Sequence, residues 1–513
     1  MRRAILVLAL CIGGFAAAPV APALAATPGP GGATGIALDN KVELNWQPLV
    51  GASAYNVYRG LSPTTITTLV TPVGGVVTQG FTDTGAVNGT PYYYAVRAVV
   101  AGAETDPSVT VGATPTVRTC SAGNVTMIEN CYLGTSAWNT GTSVALSLGG
   151  IEGFSTASSV NRGGSFGVKM QTAAATTASI QIYRSGYYGG TGGRLISTVR
   201  GLPVGPQAAC ASSPTTTGLY DCSNWTTAAT ITTSTSWESG VYLVRIVRDD
   251  NNLDYEFPVV VRNDLSHSPV LYGVPFTTYQ AYNNYGGKSL YGYNSSGPVT
   301  IANSVRAVKV SYDRPYAQPR DTTIPNWYTR ADYPMVYWLE KSGYDTTYAS
   351  TDDLESSPTW PRNHKAFISG AHDEYYSAAM RASLTATRDA GTNLFFAGAN
   401  AVYWKIRFEN SGRTEVCYKT TESGPADPVS PTTFWRDPNG ANQPENALIG
   451  QMYTGDEAAS FFPLVVSAAE GTDRIWRYTG LDSQAPGTST SIGTQLVGWE
   501  WDKRSANGFE PAG

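Results

Sequence analysis

The sequence predicts a multidomain chain: two β-rich modules followed by a parallel α/β domain. Three observations lead there. The 513 residues include 54 glycines and 31 tyrosines, with abundant Thr and Ser and only 14% charged residues, a profile of short strands and turns. Short runs with period-two alternation fill the first half, punctuated by Gly and Pro. After about His267 the rhythm changes to strand, helix, strand, helix, which makes a parallel sheet with helices on its faces. The length allows two to four domains.

The N-terminus sets the expected compartment. Arg2-Arg3, the apolar run Ala4–Ala18 and Ala23-Leu24-Ala25 form a charged start, an apolar core and a small-residue cleavage site. Residues 1–25 therefore read as a signal peptide, and the mature chain is expected to be secreted. Pro19 and Pro22 interrupt the apolar stretch, and no other run is long enough to cross a bilayer, so no stable membrane insertion is expected. Beyond Cys11 the cysteines are Cys120, Cys131, Cys210, Cys222 and Cys417. Cys120/Cys131 and Cys210/Cys222 are close enough for local disulfides in an oxidising space, leaving Cys417 as a buried free thiol. A net charge of −5 without a basic stripe argues against a nucleic-acid partner.

Residues 27–115 form the first module. Val42–Trp46, Ala54–Arg59 and Tyr92–Ala98 alternate apolar and polar residues, as in a small antiparallel sandwich. Trp46, the Tyr55–Gly60 strand, Phe81-Thr82-Asp83 and Tyr92–Val96 resemble a fibronectin type III domain. That resemblance implies a spacer or adhesive module, with polysaccharide or cell wall as the expected contact. Residues 119–265 read as a second β-sandwich, with strands at Ala178–Arg184, Gly240–Ile246 and Tyr255–Val261. The loop Tyr187–Arg194 is glycine-rich, but it lacks the Gly-Lys-Ser/Thr ending and no helix follows, so it reads as a sharp turn or docking loop.

Residues 266–513 form the α/β domain. Strands are expected at Val270–Val274, Tyr344–Ala349, Lys365–Ile368 and Asn393–Ala397, with helices at Pro334–Lys341 and Ser377–Ala390, the latter closed by Gly391. Two consecutive strands end in polar groups, one in His372-Asp373-Glu374 and the next in Asn400. Open α/β sheets place their chemistry at this carboxyl edge. An imidazole and a carboxylate there can bind a metal, activate water, or both. The competing reading makes His372 a helix cap and Glu374 a partner of the helix dipole. With so few histidines, only His267, His364 and His372, a three-His zinc site is not expected, and no cysteine pair has metal spacing. A metal would need oxygen donors: Glu374, other carboxylates or tyrosinate, a hard set that suits Fe(III). A metal-free site would need a nucleophile, and no Gly-x-Ser-x-Gly elbow is present.

Thr278–Asn283, His372–Tyr375, Gly398-Ala399-Asn400 with Tyr403-Trp404, and Gly498–Asp502 resemble the large (beta) subunit of N,N-dimethylformamidase and its secreted relatives, over about residues 119–513. The resemblance implies a glutamine-amidotransferase-like α/β domain, amide hydrolysis, and one ferric ion held by two tyrosines and a glutamate. Carried over residue by residue, Glu374 is the carboxylate ligand and His372 the catalytic base or orienter. Asn400 is a substrate-pocket residue and Glu500 a second catalytic carboxylate. Tyr282, preferred over Tyr279, and Tyr316 are the expected tyrosine ligands. The chain departs from the family in its fibronectin-like module and shows no sign of a small partner subunit. The expectation is a secreted Fe(III)-dependent hydrolase of a small-molecule or extracellular amide, with a homo-oligomer compatible. The alternative is a non-catalytic extracellular binding or cell-wall-associated protein with a degenerate α/β domain.

Overall fold

The computed structural model describes residues 27–116, 120–139, 143, 144, 146–301, 304–317, 327–420, 425–505, 507 and 509, the side chains of 457–459 excepted. The expected signal peptide lies outside the described residues. The described chain is mostly β-sheet and falls into several modules.

At the N-terminus two antiparallel sheets face each other. One orders Thr34–Leu38, Lys41–Asn45 and Gly80–Asp83; the other is built on the pair Ala52–Gly60 and Tyr92–Val100. Alternation puts Val42, Leu44, Trp46, Tyr55, Val57, Tyr94 and Val96 between them, with the Trp46 and Tyr55 rings 5.5 Å apart. This is the sandwich that the fibronectin type III resemblance implies. It is docked on the second module: Asn252 Nδ2 donates to the Trp46 carbonyl at 2.9 Å, and Arg200 pairs with Glu43.

The second sandwich sets a five-stranded sheet against a three-stranded one, Thr227–Thr232, Ser165–Thr172 and Ile151–Ser155. In the larger sheet Gly240–Arg248 and Asp254–Arg262 are buried along almost their whole length. Alternation fails there because both faces are covered, one by the small sheet and the other by the third module. One apolar core runs from Ile180 and Val244 through Tyr272 and Tyr348. A fully buried pair, Arg184 with Glu340 at 2.8 Å, crosses the same seam. The glycine-rich loop docks beside it. Gly189, Gly190 and Gly192 take positive φ, and Tyr188 drops inward to donate to Glu129 Oε1 at 2.6 Å. Cys120–Cys131 and Cys210–Cys222 are both bonded, and Cys417 is a buried free thiol.

The third region contains the expected parallel sheet, ordered Thr346–Ser350, Val270–Val274, Ala366–Ser369, Asn393–Phe396. The last two strands are neighbours, with Ser369 opposite Phe396, so their carboxyl ends meet. Helix Ala378–Asp389 starts at Ser377, whose hydroxyl accepts from the Met380 N–H at 3.1 Å. Ser377, not His372, is the cap. Two features depart from a purely parallel α/β reading. A second sheet orders Lys309–Ser311, Thr414–Val416, Trp404–Glu409 and Tyr375–Ser377, and a long antiparallel arm pairs Met452–Ser467 with Ser489–Lys503. The arm's first strand carries Pro463 and no regular alternation, which hides it in the sequence.

Candidate functional site

The site lies at the carboxyl ends of the parallel strands. Strand Ala366–Ser369 runs into Gly370-Ala371-His372-Asp373-Glu374. A Cβ on Gly370 would collide with Asp332 Oδ1 and Pro275, and one on Gly398 with the Ala371 carbonyl. Those two glycines let the neighbouring strand ends close on each other. Asp373 turns inward and accepts from Ser369 Oγ at 2.7 Å and from the Tyr376 hydroxyl at 2.5 Å. The residues on either side of it, His372 and Glu374, form the site.

Glu374 is 2% exposed and sits at the centre. Its backbone N–H donates to Thr278 Oγ1 at 3.0 Å, pinning it to helix Phe276–Tyr282. Tyr282, at the end of that helix, donates its hydroxyl to Glu374 Oε2 at 3.0 Å. Tyr291 donates to both carboxylate oxygens, at 2.7 and 2.8 Å, and its ring stacks on Tyr282 with centroids 4.3 Å apart. The Tyr291 loop is held by Ser289 and Ser295: the Tyr291 N–H donates to Ser289 Oγ at 3.0 Å and Ser295 Oγ donates to the Tyr291 carbonyl at 2.6 Å. Lys419 Nζ stands 3.5 Å from the centre of the Tyr291 ring.

His372 lies between two carboxylates. Its Nε2 is 3.4 Å from Glu374 Oε2 and its Nδ1 is 3.5 Å from Glu500 Oε2. Asn400, at a φ of 56° that asparagine tolerates, donates Nδ2 to Glu374 Oε1 and Glu500 Oε1, each at 3.2 Å. Its backbone N–H donates to Asp502 Oδ1 at 2.8 Å, and its own Oδ1 is buried without a partner. Glu500 and Asp502 are two apart on one strand of the arm, so both face Asn400.

The electrostatics follow from burial and these contacts. Burial opposes charge on His372, but Glu374 and Glu500 outweigh it and raise the ring to about 9. Burial also works to raise Glu374, yet His372, Lys419 and the Tyr291 hydroxyl hold it below the usual carboxylate range. Glu500 is pushed up to about 7, by burial first, with His372 pulling it back and the Glu374 charge adding to the rise. Burial, then the Glu374 charge, drives both Tyr282 and Tyr291 well above the ordinary phenol value.

The structure thus brings together Tyr282, His372, Glu374, Asn400 and Glu500. Tyr279 faces away and donates to Asp332. Tyr316 does not reach the site. Its hydroxyl accepts from Gln280 Nε2 at 3.0 Å and its ring packs edge-on against Trp327 at 4.4 Å. Residues two apart on a helix point to opposite faces, so Gln280 carries Tyr316 to the side of the helix away from Tyr282. The phenol beside Glu374 is Tyr291 instead. Only its presence in the tyrosine-rich run Leu290-Tyr291-Gly292-Tyr293 hinted at it, and no periodicity singles it out. Among the described residues no three His, Cys, Asp or Glu side chains cluster as metal ligands do.

Fold and site together define a mostly β, multidomain chain with a buried, phenol-bearing acid–histidine cluster on the edge of a parallel sheet. Residues 179–513 match the family model described as N,N-dimethylformamidase beta subunit-like, C-terminal, and the chain belongs to that family. A search of the curated proteins found no match. Among solved structures, an Fn3-like protein from Clostridium thermocellum is 30% identical over 18% of this chain and 99% of that one, with a TM-score of 0.16. A beta-1,2-glucanase from Parabacteroides distasonis is 26% identical over 20% of this chain and 14% of its own, with a TM-score of 0.16. A segment of two fibronectin type III domains from chicken tenascin is 13% identical over 45% of this chain and 98% of its own, with a TM-score of 0.14.

Proposed function

We propose that the chain is a secreted hydrolase of amide C–N bonds whose glutamine-amidotransferase-like domain holds one Fe(III) through Tyr282, Tyr291 and Glu374. The observation that carries this reading is the convergence of two phenol hydroxyls on one buried carboxylate. Three hard oxygen donors meet where burial and the Glu374 charge make phenolate formation unfavourable. A trivalent cation supplies the charge that reverses this, and the donor set fits one. When bound, the ion polarises the amide carbonyl as a Lewis acid.

The chain's own residues do the rest. Asn400 Oδ1, buried and without a partner, accepts a hydrogen bond from the amide or the attacking water. Glu500, near neutrality, takes the water's proton as oxygen bonds to the carbonyl carbon. The C–N bond breaks as protonated His372 gives its proton to the departing nitrogen. Family membership supports the reaction class, and the substrate is read as a small or extracellular amide. Tyrosinate on Fe(III) absorbs visible light, so purified protein expressed with iron is expected to be coloured and to carry about one iron per chain. Colourless, iron-free protein overturns the reading.

A further inference from the structure

The carboxylate of Asp332 has no part in the proposed chemistry, yet three donors converge on it. It is fully buried. Tyr272 donates its hydroxyl to Oδ1 at 2.7 Å, the Ala371 backbone N–H donates to the same oxygen at 3.2 Å, and the Tyr279 hydroxyl donates to Oδ2. Each donor comes from a different place: strand Val270–Val274 of the parallel sheet, the loop that carries His372 and Glu374, and helix Phe276–Tyr282. An ionised carboxylate accepts at both oxygens and donates from neither, which suits it to join such elements. Asp332 is itself held from outside the site. It directly precedes helix Tyr333–Lys341, and Glu340 at the far end of that helix makes the buried pair with Arg184 of the second sandwich.

We propose that Asp332 is a positioning residue that sets the His372–Glu374 loop against the helix bearing Tyr282. The loop is pinned at both ends to that one helix. At its far end the Glu374 N–H donates to Thr278 Oγ1 at 3.0 Å. At its near end Ala371 reaches Tyr279 through Asp332. Thr278 and Tyr279 are neighbours about one turn before Tyr282, and His372 lies between the two pins. A helix of seven residues is too short to hold its own shape, so these contacts fix where Tyr282 points. Gly370 keeps the approach open, because a Cβ there would stand on Asp332 Oδ1. Misplacing a reacting group by about 1 Å costs ~10²-fold in rate. A clamp that acts on two sides of the site therefore governs turnover without touching substrate. The inference rests on the proposed function only for its kinetic readout.

The test compares three variants of the full chain, expressed with iron and checked for native circular dichroism, on N,N-dimethylformamide. Asp332→Ala is expected to lower kcat ~10–100-fold with KM within about threefold, the split of an interaction that acts on placement. Asp332→Asn is expected to recover most of that loss, since its carbonyl oxygen accepts from Tyr272 and Ala371 and its amide donates to the Tyr279 oxygen. An unchanged kcat in Asp332→Ala overturns the proposal. So does Asp332→Asn no better than Asp332→Ala, because charge rather than placement is then what matters. Should Asp332→Ala not fold, Tyr279→Phe decides: it cuts the tether to the helix, keeps the Asp332 charge, and is expected to lower kcat by about tenfold. An unchanged kcat there overturns the clamp. If the unmodified protein carries no iron and leaves this amide intact, the proposed function fails and the clamp is still decided by NMR of ¹³C-labelled histidines. The His372 ring signal, identified by its absence in His372→Ala, is expected to shift in Tyr279→Phe while those of His267 and His364 stay in place. Three unmoved signals overturn the proposal.

Discussion

Tyr291 donates one hydroxyl to both oxygens of Glu374, at 2.7 and 2.8 Å, across 83 residues of sequence. The contact joins a loop outside any regular element to the carboxyl end of a parallel strand, and with Tyr282 it makes the oxygen-rich centre of the site.

Tyr291→Phe removes one donor while keeping the ring against Tyr282. Iron content and visible absorbance are expected to fall by more than the ~10–100-fold affinity loss that removing an outer partner typically causes. Tyr316→Phe loses only the Gln280 contact and is expected to keep both. Metal analysis of the two variants side by side checks this, and the opposite ranking would return the ligand role to Tyr316.

Glu374 and His372 should separate metal loading from turnover. Glu374→Gln keeps size but not charge, so iron is expected to drop sharply with the fold retained. His372→Ala is expected to retain iron and colour and to lose ~10²–10⁴-fold in amide hydrolysis, the usual contribution of a positioned acid or base. Full activity in His372→Ala would remove it from the chemistry.

Asp373 gives a pH-dependent stability with a definite sign. Burial raises it from 3.8 to about 7, against the hydrogen bonds from Tyr376 and Ser369. A raised folded-state value means the contribution is fully present below the unfolded value and is lost as pH rises through about 7. Urea denaturation should therefore show lower stability at pH 8 than at pH 5, by ~1–3 kcal/mol from this group. Asp373→Asn, whose carbonyl can accept the same two hydrogen bonds, is expected to flatten that slope. An unchanged slope in the variant assigns it to other groups.

The disulfides close loops with sequence separations of 11 and 12, each expected to contribute ~3 kcal/mol in the chain-entropy model. Both lie in or beside the second sandwich, so reduction should lower its melting point first. Non-reducing peptide mapping is expected to recover Cys120–Cys131, Cys210–Cys222 and an unmodified Cys417. A Cys120–Cys210 peptide would contradict the pairing.

Local pattern made much of this architecture legible. Period-two alternation marked the first sandwich around Trp46 and Tyr55, and the strand–helix rhythm marked the parallel sheet. His372, Glu374 and Asn400 stood out because strand ends are short-range features of the chain. The arm leaves little trace in the sequence because a ribbon exposed on both faces has no buried face to impose alternation. Tyr279, Tyr282, Tyr291 and Tyr316 look alike as letters, and local sequence cannot rank them.

By itself the sequence determined the order of modules, the close cysteine pairs and the family, all of which rest on neighbouring residues or contiguous motifs. Only the tertiary structure decided which phenols meet Glu374. The short helix ending at Tyr282 points Gln280 toward Tyr316 and Tyr282 toward the carboxylate, while serine contacts fold the next loop back to deliver Tyr291. Tertiary structure likewise brought Glu500 to His372 from the root of the arm. These are long-range contacts set by packing between elements, and residue type and spacing along the chain do not encode them.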